Sequence, residues 1–173
     1  MGLLRFLGLV GARADADREP ESETVRRIAS QLERLPPDQA QYLATFAYVL
    51  ARIAHADLDI DARETTTMEE AVREIAHLSD AESALVVQIA QSQAQNLGGT
   101  QDYVITRQFR KLSTREQRGE LLACLYAVAA SDGTISGEES AEIAKIGDEL
   151  GFTRAEVNSL RSQYREQLGV LQR

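Results

Sequence analysis

The chain has 173 residues, with 27 Asp and Glu against 19 Lys and Arg, for a formal net charge of -8. That length suits one compact domain with a real core, or two small halves sharing one. The acidic balance excludes a general nucleic-acid binder, which needs a cationic footprint, and the single cysteine excludes an intrachain disulfide framework and makes the reducing cytoplasm the default compartment.

Residues 1–11, MGLLRFLGLVG, are the only targeting-like stretch. Their apolar part spans about 15 Å as a helix, far short of a bilayer. After Arg5 only FLGLVG remains, short for the apolar region of a signal peptide, although Ala12, Ala14 and Ala16 follow and leave export open. Phe6 breaks the myristoylation pattern. Two readings stand side by side: residues 1–10 form a short membrane-surface or partner-binding helix, or they form a tail helix that docks on the domain or frays. Residues 12–21 read as a flexible charged linker.

From residue 22 onward every segment reads as helix. Ser, Thr or Asp recurs three residues before Glu or Gln, the capping-box pattern, at Asp38/Gln41, Asp61/Glu64, Ser79/Glu82, Ser113/Glu116, Ser136/Glu139 and Thr153/Glu156. The first helix spans 22–35, with Val25, Ile28, Leu32 and Leu35 on one face, and Pro36 and Pro37 stop it. The second runs from Asp38 to about His55. Others start near residues 62, 80, 101, 114, 137 and 154. No stretch alternates with period two for long enough to be a strand. The expected class is all-α, with about seven to eight helices.

Two of these helices, YLATFAYVLARIA and LLACLYAVAA, are apolar almost all round and belong at the centre of a bundle. Cys124 lies in the second and reads as a small core residue rather than a reactive thiol. Leu50, Ile53, Leu125 and Val128 are expected to be buried. Each apolar helix is followed by an acidic loop, a capping box and an amphipathic helix. At an offset of 75 residues (132 minus 57), Asp57 meets Asp132, Ile60 meets Ile135 and Glu64 meets Glu139. One residue of slippage later, LSDAE (78–82) meets FTRAE (152–156). The chain therefore reads as a single domain over 22–173, built from two tandem three-helix units, about 38–97 and 113–168, in a pseudo-two-fold arrangement.

The paired loops carry the candidate chemistry. The first offers Asp57, Asp59, Asp61 and Glu64, and the second offers Asp132 and Glu139. Hard cations take several oxygen ligands, so these six residues are candidate ligands for a divalent metal: calcium, magnesium or zinc. The first loop is not an EF-hand, because Ala62 stands in place of the glycine and Met68 in place of the closing glutamate. A plainer reading also fits: Asp61 and Ser136 are N-caps, Glu64 and Glu139 complete their boxes, and Asp132-Gly133 is a turn. Capping leaves Asp57 and Asp59 unexplained, since they follow a helix C-terminus where the dipole disfavours anions. Three acids this close need a cation, from Arg52, from Arg63 or from a metal. Elsewhere, Glu74 and His77 make one E-x-x-H, read as an exposed helix end because a di-iron site needs two. The stretch YVITRQFRK (103–111) reads as a surface helix with Tyr103 and Phe109 packed inward, in preference to a nucleic-acid or acidic-partner patch built on Arg107, Arg110 and Lys111.

The repeated pattern, an apolar helix ending in small residues and then SDGTISGEE before an amphipathic helix, resembles the TerB-like tellurite-resistance family. The same module is similar to the N-terminal domain of DjlA-type co-chaperones, although no J-domain His-Pro-Asp signature is present. The resemblance covers about residues 22–168. It implies an all-helical, internally duplicated bacterial fold linked to tellurite and other chemical stress, with metal-binding acidic loops and membrane-complex partners. Asp132 and Glu139 match the motif directly. Asp57 and Glu64 match in the first copy, where Leu58 replaces the glycine. The expected function is a non-enzymatic stress-response module that binds a divalent metal, a protein partner, or both. Its expected place is cytoplasmic and peripheral to the inner membrane through residues 1–10, with no nucleic acid. The alternative is a metal-dependent hydrolase that uses the pooled carboxylates, which lacks a histidine ligand set.

Overall fold

The computed structural model describes residues 19–54, 62–94, 100–131 and 133–164. Eight α-helices make up the described chain: α1 (Glu19–Glu33), α2 (Pro37–Ala54), α3 (Ala62–Ile75), α4 (Asp80–Ala94), α5 (Thr100–Leu112), α6 (Arg115–Ala129), α7 (Gly137–Glu149) and α8 (Arg154–Ser162). The all-α expectation holds.

Three expected capping boxes form. Glu82 N–H donates to Ser79 Oγ at 3.2 Å and Ser79 N–H returns the bond to Glu82 at 2.9 Å. Ser136 with Glu139, and Thr153 with Glu156, do the same at the starts of α7 and α8. Two boxes differ. At α6 the box is Thr114 with Gln117, one residue past the expected Ser113/Glu116. The Ser113 hydroxyl instead donates back to the Phe109 carbonyl at 2.6 Å, closing α5. At α2 the helix opens at Pro37, so Asp38 falls inside the first turn rather than at the cap. Proline suits that position because its missing N–H would have no partner there. The first helix also starts earlier than expected, at Glu19, for a related reason: Pro20 is tolerated in a first turn.

The core gathers around α2. Every residue from Leu43 to Ile53 is buried. The Phe46 ring meets Tyr42 and Phe109 at centroid distances of 6.0 and 5.9 Å. Helix α2 packs against α4, α5, α6 and α7, while α6 packs against α2, α3, α7 and α8. The two apolar helices therefore lie at the centre, and each touches the amphipathic helix that follows the other. Leu50, Ile53, Leu125 and Val128 are all buried, as their pattern implies.

Helices α3 and α7 both stop on a left-handed residue. His77 (φ 56) follows α3, and Gly151 (φ 88) follows α7. At Gly151 the Schellman pattern is complete, with Gly151 N–H donating to the Asp148 carbonyl and Phe152 N–H to the Gly147 carbonyl, each at 3.0 Å. That turn sends α8 back along α7, and the two meet at Gly147. A Cβ there would lie 2.6 Å from Val157 Cγ2. Gly147→Ala is expected to destabilise by about 1–3 kcal/mol, because overpacking outweighs the gain in helix propensity. Chemical denaturation of Gly147→Ala with and without Val157→Ala checks this: the double variant should recover stability relative to Gly147→Ala alone.

Candidate functional site

Arg52 is the one charged residue in the buried run of α2, and a buried guanidinium must be paired. Its side chain is 1% exposed. Nη2 and Nε donate to Glu142 Oε1 at 2.6 and 3.0 Å, and Nη1 donates to Glu149 Oε2 at 2.7 Å and to Thr106 Oγ1 at 2.9 Å. Four of the five N–H groups of a guanidinium are thus used. Glu142 and Glu149, seven residues apart, share one face of α7, while Thr106 belongs to α5. One side chain clasps three helices. Burial alone would lower the Arg52 pKa, but the bonds to Glu149 and Glu142 outweigh it and raise the net value. The network continues: Thr106 Oγ1 donates to the Asp102 carbonyl at 2.9 Å, and Tyr48 OH donates to Asp102 Oδ1 at 2.8 Å. Burial, then the bond to Asp102, pushes the Tyr48 phenol well above its usual range.

Arg52 was one of two arginines, with Arg63, that could offset Asp57, Asp59 and Asp61; among the described residues its guanidinium is engaged by the α7 glutamates. The sequence signal was present, as a lone arginine inside YLATFAYVLARIA. Its partners lie 90 and 97 residues away, beyond any local pattern.

Of the six predicted metal ligands, Asp57, Asp59, Asp61 and Asp132 lie outside the described residues, as does the side chain of Glu64 in α3. Glu139 is described. It sits in the first turn of α7, where its Oε2 accepts the Ser136 N–H at 2.7 Å. Among the described residues no group of three or more His, Cys, Asp or Glu is placed to hold a metal.

The other candidates resolve into structure. Cys124 is fully buried, its thiol faces the Ala71 carbonyl at 3.7 Å, and burial, with Glu120 nearby, pushes its pKa up to about 12. It is a core thiol at neutral pH. The His77 ring is 76% exposed at a helix end, 3.8 Å from Glu120. Phe109 is buried as expected, but Tyr103 is not: it and Val104 are 50% and 52% exposed on the outer face of α5. Period alone cannot decide which of two aromatics six residues apart faces inward, and the ring of Phe109 is the one that meets Tyr42 and Phe46. Residues 1–10 lie outside the described residues, and no described helix is long and apolar enough to cross a membrane.

A groove of about 610 Å³ runs between α7 and α8. Glu139, the predicted ligand whose side chain is described, is not among its described lining residues. Its walls carry Lys145, Arg154 and Arg161, with Asp148 as the carboxylate among them.

The geometry defines an all-helical domain in which a buried arginine ties the apolar helix α2 to α5 and α7. Residues 42–162 match the family model described as tellurite resistance protein TerB, and the chain belongs to that family. Comparison with curated proteins and with solved structures returns no match.

Proposed function

We propose that this TerB-family chain is a non-enzymatic, cytoplasmic stress-response module of bacteria, which binds a divalent cation through its paired acidic loops and passes that state to a protein partner. The observation that carries this reading is the Arg52 clasp. It joins the last turn of α2 to the second turn of α7 through a 2.6 Å ion pair. Asp57 follows Arg52 by five residues, and Glu139 precedes Glu142 by three. Helix α2 ends at Ala54, three residues before Asp57, a stretch that spans at most about 11 Å, which supports a reading in which the two loops serve one ion. The clasp also engages Arg52 elsewhere, so that the repulsion among Asp57, Asp59 and Asp61 is answered in this reading by a bound cation beside Arg63.

The matched helix closures, at His77 before Ser79/Glu82 and at Gly151 before Thr153/Glu156, support a duplicated origin in which both loops took on one task. A metal-dependent hydrolase would need a cleft beside the acids, and among the described residues the acid that lines the α7–α8 groove is Asp148. Isothermal titration with calcium, magnesium and zinc chlorides tests the metal reading: at least one should bind saturably, and heats of dilution alone for all three would remove it. Residues 1–10 add a peripheral contact with the inner membrane in this reading. Their deletion should abolish binding to anionic lipid vesicles and leave the melting temperature unchanged; unaltered vesicle binding would discard the anchor.

A further inference from the structure

The α7–α8 groove belongs to none of the interactions above. We infer that it is a docking site for an acidic peptide segment of a partner protein. This rests on the partner-binding half of the proposed function and assigns the partner its chemistry. Among the described residues, Lys145, Arg154 and Arg161 line the groove against one carboxylate, Asp148, in a chain whose net charge is -8. The local sign is therefore opposite to the global one. Among the described residues, Lys145 and Arg154 make no ion pair, whereas Arg52, Arg73 and Arg115 each hold an acid. Arg161 Nε is enclosed and has no hydrogen-bond partner. A buried donor left unanswered by its own fold calls for a ligand or a water.

The spacing favours a peptide over a small anion. Arg154 and Arg161 are seven residues apart on one face of α8, about 10.5 Å along the axis. One phosphate would have to draw both long side chains together. Two carboxylates three residues apart on a polyproline-II segment lie on one face about 9.3 Å apart and match that spacing directly. The opposite wall suits such a segment. Gly137, Ser140, Ala141 and Ala144 present a small-residue face of α7, where a peptide backbone can approach closely. The walls are set before binding, because Gly147 against Val157 fixes the crossing and capping boxes fix both helix starts. A preorganised groove loses little entropy on docking.

Fluorescence anisotropy with the full chain tests this. The probe is a labelled synthetic peptide, Glu-Gly-Ser repeated four times, with the Gln-Gly-Ser analogue as its neutral control. The acidic probe should bind, the analogue should not, and added sodium chloride should weaken binding. Lys145→Glu with Arg154→Glu should weaken it about ten-fold or more. Both side chains are exposed, and circular dichroism melting confirms the fold of the variant. Arg107→Glu with Lys111→Glu makes the same charge change on α5 and should leave affinity within about two-fold. Equal losses in the two variants, no loss in the first, or full competition by millimolar inorganic phosphate would overturn the inference. The groove variant should keep any metal-induced thermal shift, so failure here is separable from failure of the metal reading.

Discussion

Arg52→Met is expected to destabilise the fold by about 3–5 kcal/mol, because it strands two glutamates against a buried face. Glu149 is 7% exposed and Glu142 is 34% exposed, and both lose their shared cation. For a chain of this size, that corresponds to a fall in melting temperature on the order of 10 °C. The cost lies in the unpaired carboxylates rather than in the lost arginine, since replacing a whole buried ion pair by neutral groups is often nearly neutral. Arg52→Met combined with Glu142→Gln and Glu149→Gln should therefore recover most of the loss. Urea denaturation of the three backgrounds decides it. A single variant within about 1 kcal/mol of the parent would mean that the clasp does not hold α2, α5 and α7 together.

Phe46→Ala is expected to cost about 3–5 kcal/mol, as large-to-small changes in packed cores do. Phe46 is fully buried at the centre of α2, and its ring sits between Tyr42 and an edge-on Phe109. The cavity would open where α2 meets α5, so α5 should lose hydrogen-exchange protection first. Phe46→Leu keeps most of the volume and should lose less than half as much. Equal losses for Leu and Ala would place the energy in ring-specific contacts instead of volume.

The helices were legible because their signals are local. The apolar runs of α2 and α6 announced the centre, and Ser79/Glu82, Ser136/Glu139 and Thr153/Glu156 marked helix starts that the structure keeps. Ser113/Glu116 and Thr114/Gln117 both fit the box pattern, and only the Ser113 hydroxyl bonding back to Phe109 separates them. What stayed hidden is long-range. Arg52 stands out in its helix, yet nothing near it names Glu142 and Glu149. The groove depends on the α7–α8 crossing at Gly147, and its cations are scattered singly through helices whose sum is acidic. Of the candidate metal ligands, the described side chain is that of Glu139, and it acts as the capping partner that its spacing also implied.

Thermal melting with calcium, magnesium or zinc, on the parent chain and on Asp57→Asn with Asp132→Asn, addresses the metal reading most directly. An ion that binds only the folded state stabilises it by about 2.7 kcal/mol at a hundred times its dissociation constant. At least one of the three ions should therefore raise the melting temperature of the parent in a concentration-dependent way. The double variant should lose that shift and, relieved of two like charges, melt at or above the temperature of the metal-free parent. No shift with any of the three ions, or an equal shift in the variant, would contradict a metal held jointly by the two loops.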